Sequence, residues 1–161
     1  MATLSAGILL YRYADDGGLE VLLGHMGGPL WAHREDAAWS APKGEYLADE
    51  EPEIAARREF VEELGLPVPD GPLRELGEVR QPSGKRLTLW ALQADLDVDA
   101  VRPGTFSLEW PPKSGRYQDF PELDRVAWAD LDVARGRLVK GQRPFLDRLV
   151  ELLGGAAGAM D

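Results

Sequence analysis

Residues 44–66 read Gly-Glu-Tyr-Leu-Ala-Asp-Glu-Glu-Pro-Glu-Ile-Ala-Ala-Arg-Arg-Glu-Phe-Val-Glu-Glu-Leu-Gly-Leu. The stretch predicts a loop followed by a helix from about residue 51 to residue 64. Asp49 is placed to cap its start, Pro52 is tolerated in its first turn, and Gly65 suits the C-terminal cap. Glu59, Glu62 and Glu63 stand at i, i+3 and i+4, so they share one face of that helix. Ile54, Val61 and Leu64 lie on the other side and are expected to form the apolar stripe that meets a core. Three carboxylates at this spacing repel one another, and Arg58 supplies one positive partner nearby in sequence. A hard divalent cation with oxygen ligands is the simplest bridge between them.

Around this segment the chain is that of an ordinary globular protein. Its 161 residues suit one domain, expected over residues 1–154 and followed by a flexible tail over 155–161. The formal net charge of −10, without a long basic run, argues against a nucleic-acid backbone or an anionic membrane as principal partner. Small polyphosphates stay within reach, because a metal ion and a few local cations can reverse the field in one pocket. With no cysteine, thiol nucleophiles, disulfides and cysteine-based zinc sites are excluded. The chain carries no recognisable signal peptide or membrane-length apolar stretch, so a cytoplasmic location is expected.

Residues 4–13 and 19–23 predict a hairpin closed by Asp15-Asp16-Gly17-Gly18. Residues 26–38 form a long loop carrying Trp31, His33 and Arg34. A short extended piece follows over residues 39–41, held out of the helical region by Pro42. Residues 73–80 and 86–96 predict two strands around the turn Pro82-Ser83-Gly84-Lys85. A Pro-rich aromatic segment then runs from about residue 101 to 121. Residues 125–129 predict a further strand, Asp130 a short helical turn, and residues 143–153 an amphipathic helix. This irregular interleaving predicts an α/β (α+β) fold with a mixed sheet flanked by helices.

Read as a spacing, the opening stretch is Gly44, five residues, Glu50, seven residues, Arg58-Glu59-Phe60, one residue, Glu62-Glu63, one residue, Gly65-Leu66. This pattern resembles the Nudix box of the Nudix hydrolases at every defined position. The resemblance implies an α/β/α sandwich and an enzyme that hydrolyses nucleoside diphosphate derivatives using Mg²⁺, with Mn²⁺ as substitute. Carried over residue by residue, it makes Glu59, Glu62 and Glu63 metal ligands, with Glu59 or another acid as the base for water. A backbone carbonyl at Lys43 or Gly44 would add a ligand. Arg58 would orient the carboxylates, and Glu50 would brace the loop against the helix. The electrostatics agree, since a pyrophosphate would be repelled by an acidic site that held no cation.

Trp39-Ser40-Ala41-Pro42-Lys43-Gly44 is similar to the approach to the box in diadenosine-polyphosphate hydrolases, which makes Lys43 a candidate for a substrate phosphate. The same resemblance calls for one more carboxylate outside the box, for which Glu122, Asp119 and Glu109 are the candidates, in that order. Trp31, Trp110, Tyr117 and Phe120 are placed to stack on a base. Arg34, Lys113 and Arg116 are candidates for distal phosphates, and His25 is read as structural. The leading expectation is a metal-dependent pyrophosphohydrolase acting on a dinucleoside polyphosphate or a nucleoside triphosphate. The alternative is a Nudix-fold sensor that binds a nucleotide metabolite without turnover. A homodimer is compatible with the sequence, which marks no interface.

Overall fold

The computed structural model describes residues 3–158 of the chain. Its centre is the first strand, β1 (Leu4–Tyr13), which carries apolar side chains on both faces. Such a strand must be covered on both sides. Ala6, Ile8 and Leu10 face the first helix, α1 (Pro52–Leu64), and pack with Ala55, Ala56, Phe60 and Leu64. Leu9 and Tyr11 face the opposite layer, which holds Phe145, Leu146 and Leu149 of the last helix, Pro144–Gly158, and Ala134 of the short helix Leu131–Arg137. We call these two α3 and α2. The result is the expected sandwich of helix, mixed sheet and helix. Among the described residues no helix is long and apolar enough to cross a membrane.

The sheet has seven strands. In chain order after β1 they are β2 (Leu19–Met26), β3 (Trp39–Ser40), β4 (Lys43–Tyr46), β5 (Arg74–Arg80) and β6 (Arg86–Gln93). After a separate pair, β7 (Thr105–Glu109) and β8 (Tyr117–Pro121), β9 (Leu123–Asp130) completes it. One edge of β1 is taken along its length by β6, in parallel. Its other edge is shared, with β2 paired at Tyr11–Tyr13 and β4 at Leu4–Gly7. β2 divides its inner edge in the same way, between β1 and β3, while β9 lines its outer edge. Strands β1 and β2 therefore diverge, and residues 39–46 fill the wedge between them.

The structure corrects the expected back of α1. Ile54 and Val61 are 57% and 45% exposed, whereas Leu64 is buried as expected. Ala55 and Ala56 let the helix approach the sheet closely, and Phe60 fills the space beyond them. The inner face thus includes Glu59, buried itself. The start of α1 also differs: Glu51 is the extended cap residue, it makes no side-chain capping bond, and Pro52 opens the helix. Gly65 ends it as expected, in the left-handed region at φ 68°, with its N–H on the Val61 carbonyl. The Pro-rich segment holds the β7–β8 hairpin, which the proline spacing had concealed. Helix α3 continues to Gly158, beyond the expected end at residue 153. Of the expected flexible tail, residues 159–161 lie outside the described residues.

Candidate active site

Arg58 organises the carboxylates at the outer end of α1. Its Nε and Nη2 donate to the two oxygens of Glu50 at 3.0 and 2.8 Å. Its Nη1 donates to Glu59 Oε1 at 2.8 Å and to Glu62 Oε1 at 3.3 Å. A single guanidinium thus joins the loop acid to the helix acids, a use its fork of fixed donors suits. The Arg58 hydrogen bonds hold the Glu50 carboxyl below its ordinary range. Glu59 is pushed the other way, because burial outweighs the help it receives from Arg58.

Gly44 explains how Glu59 can be buried there. A Cβ on Gly44 would meet Glu59 Oε2 at 1.9 Å and Cδ at 2.1 Å, so the carboxylate occupies the volume of the missing side chain. Gly44 pairs with Ala6, whose side chain faces α1, while its neighbour Lys43 pairs with Gly7. Side chains alternate along a strand. Gly44 therefore belongs to the α1 face and Lys43 to the α3 face.

Glu63 has no cation within ion-pair distance among the described residues, unlike Glu50, Glu59 and Glu62. Burial, then the charges of Glu122 and Glu59, push its carboxyl up to about 8, and Lys43 offsets part of that rise. The structure thus brings Glu122 to the helix acids from the junction of β8 and β9. The Glu122 N–H donates to the Gly104 carbonyl at 2.8 Å, and the Glu122 carbonyl accepts from Gly27 N–H at 3.0 Å. The rival acids are elsewhere. Glu109 accepts from the N–H groups of Lys113 and Gly115 in the hairpin turn, and Asp119 is exposed opposite Ser107.

Among the described residues no three acids or histidines are already gathered at metal-ligating separations. The chemistry of the donor set nonetheless fits a hard divalent ion: all the donors are oxygens, and a half-buried carboxyl without a cation stands among like charges.

On the α3 face lies a cavity of about 490 Å³, lined by Ser5, Trp31, Ser40, Lys43, Leu87 and Gln142 among others. Arg34 stacks its guanidinium 4.9 Å from the centre of the Trp31 ring and is not itself part of the cavity lining. Tyr117 stands apart, 70% exposed beside the turn of the β7–β8 hairpin, where it pairs with Glu109. His25 is fully buried, with Nδ1 at 2.8 Å from Asp124 Oδ1 and Nε2 at 2.6 Å from the Arg34 carbonyl, in keeping with a structural role. Ser40, inside the segment Trp39–Gly44, and Gln142, whose neighbours in sequence carry no signal, complete the cavity lining.

The profile of the NUDIX domain matches residues 1–149. The chain belongs to the Nudix family. As a Nudix protein it is a hydrolase acting on pyrophosphate bonds. No curated protein matches it. Among solved structures, this Nudix chain is similar to the Ap4A hydrolase of C. elegans in a binary complex. That likeness has a TM-score of 0.66 at 21% identity, over 96% of this chain and 99% of that one. The NUDIX domain of Shewanella oneidensis NrtR, complexed with ADP ribose, gives a TM-score of 0.63 at 19% identity over 95% and 89%. The Nudix hydrolase RenU of M. smegmatis gives 0.53 at 27% identity over 94% and 86%.

Proposed function

We propose that this Nudix hydrolase cleaves a phosphoanhydride bond in a nucleotide, a dinucleoside polyphosphate or a nucleoside triphosphate, by attack of water on phosphorus. The observation that carries the reading is the position of Lys43. It lines the cavity on the α3 face, and its charge also acts on Glu63 on the α1 face. A polyphosphate with its nucleoside in the cavity would run past Lys43 to the carboxylates.

In this reading Glu59, Glu62, Glu63 and Glu122, with the Gly44 carbonyl, hold Mg²⁺ or Mn²⁺. The bound ion supplies charge neutralisation and activates water. Arg58 and Glu50 keep the helix acids aligned. Glu59 or a neighbouring acid accepts the proton of the attacking water, which needs no covalent nucleophile. Lys43 anchors a phosphoryl group that does not react, fixing the chain for in-line attack. Trp31 offers an aromatic face to the base, with Arg34 behind it, and Tyr117 serves only a ligand long enough to reach the hairpin.

The deciding experiment screens dinucleoside polyphosphates, nucleoside triphosphates and nucleotide sugars with Mg²⁺ and Mn²⁺, identifying products by phosphorus NMR. Turnover of a phosphoanhydride by the parent chain, abolished in the folded Glu62→Gln/Glu63→Gln variant, is expected. Substantial residual turnover in that variant would sink the assignment. Tight nucleotide binding with no product would instead favour the sensor.

A further inference from the structure

Between β3 and β4 the backbone changes partners, from β2 to β1, and Pro42 contributes no N–H at the crossing. The Ala41 N–H is thereby left out of the strand ladders, and a buried amide must find an acceptor elsewhere. It donates to Gln142 Oε1 at 2.9 Å, across 101 residues of sequence. The same side chain donates from Nε2 to Ser40 Oγ at 2.8 Å, and Ser40 Oγ donates to the Ala41 carbonyl at 2.7 Å. Gln142 is 1% exposed, and both ends of its amide are in use. Alongside it, Val139 N–H donates to the Trp39 carbonyl at 2.9 Å.

We infer that Gln142 is a positioning residue for the reaction proposed above: by gripping Ser40 and Ala41 it sets where β4 delivers the Lys43 ammonium and the Gly44 carbonyl. From the other side the segment has no slack. Ile8 N–H donates to the Pro42 carbonyl at 3.2 Å, and a Cβ on Gly7 would meet that oxygen at 2.3 Å and Lys43 Cβ at 2.5 Å. Residues 40–43 are therefore clamped between β1 and the turn that leads into α3. Gly44 in turn abuts Glu59. A shift of Ala41 is passed within three residues to the contact between strand and carboxylate. The inference rests on the metal-dependent reading of the site, and it concerns the rear support of that site rather than its ligands.

The test compares the full chain with Gln142→Leu, which keeps bulk but no polar atoms, and Gln142→Glu, which keeps an acceptor for Ala41. In folded Gln142→Leu, the Ala41 amide is expected to exchange hydrogen at least about tenfold faster. The dissociation constant for Mn²⁺ alone is expected to rise about tenfold, the lower end for a lost supporting hydrogen bond. kcat on diadenosine tetraphosphate should fall by more than KM changes, and Gln142→Glu should recover Mn²⁺ affinity to within about threefold of the parent. Should Gln142→Leu not fold, Gln142→Asn replaces it. Its amide is one methylene too short to reach both partners, and the same losses are expected. A folded variant that melts earlier yet matches the parent in Mn²⁺ affinity and kcat would show a mere brace and overturn the inference. A parent chain that binds no Mn²⁺ would sink this inference and the proposed function together. A parent that binds Mn²⁺ but turns over no phosphoanhydride would sink the proposed reaction and the role of Gln142 in it, whereas a parent that turns over, with a Gln142→Leu variant matching it in Mn²⁺ affinity and kcat, would sink this inference alone.

Discussion

Glu63 stands half-buried among like charges with no ion-pair partner among the described residues. Its carboxyl ordinarily titrates at 4.5 but is held up to about 8 by burial and by the charges of Glu122 and Glu59. In the metal-free protein the folded state keeps this proton in a range where the unfolded chain has already released it. Stability rises with pH only where the unfolded state binds more protons, so the sign here is the reverse. The contribution of Glu63 is fully present below about 4.5, declines as the pH rises, and is gone above about 8. Chelator-treated protein is therefore expected to melt at progressively lower temperature over that window, and Glu63→Gln should flatten the decline. Parallel melting curves for parent and variant across the window would contradict the tension assigned to this residue. Gly44 shows the steric counterpart. Gly44→Ala would drive a methyl group into the Glu59 carboxylate, so it should weaken Mn²⁺ binding in a protein that still folds.

For α1 as an element, Glu59 and the core lie on the same side, while Glu62 is exposed. Glu59 shares the inner face with Ala55, Ala56, Phe60 and Leu64, while Ile54 and Val61 look outward. Ile54→Ser is therefore expected to change stability by less than about 0.5 kcal/mol, whereas Phe60→Ala should cost about 3–5 kcal/mol. Urea denaturation of both variants measures the difference, and equal losses would restore the outward pair to the core. The box spacing made the acids legible from sequence, and Gly65 and Pro52 marked the ends of the helix. Hydropathy misassigned Ile54 and Val61, because two alanines can out-compete larger residues where a helix lies close on a sheet. β1 and β2 were legible from their apolar runs around Asp16 and Gly17. The β7–β8 hairpin was not, since Pro111, Pro112 and Gly115 in its connection read as irregular chain. Gln142 was invisible for a different reason, because its partners are 101 and 102 residues away.

At the scale of the whole molecule the net charge is −10, and the proposed reading sets a cation among the acids of α1. Under the proposed reading, Mg²⁺ at a hundred times its dissociation constant should raise stability by about 2.7 kcal/mol. Calorimetry of the parent and of Glu62→Gln/Glu63→Gln, with and without Mg²⁺, measures this. A parent melting point indifferent to Mg²⁺, Mn²⁺ and Ca²⁺ alike would remove the metal from the account. The parting of β1 and β2 has a wider consequence. A sheet ordinarily divides a domain into two rooms with no door between them, yet here residues 39–46 make a sill with Lys43 on one side and Gly44 on the other. Under the same reading, what the enzyme chooses and how it cuts are housed separately. Residues of the far room such as Trp31 and Leu87 can drift toward a new ligand while the cutting machinery stays untouched. A lineage built this way can change its diet without relearning its chemistry.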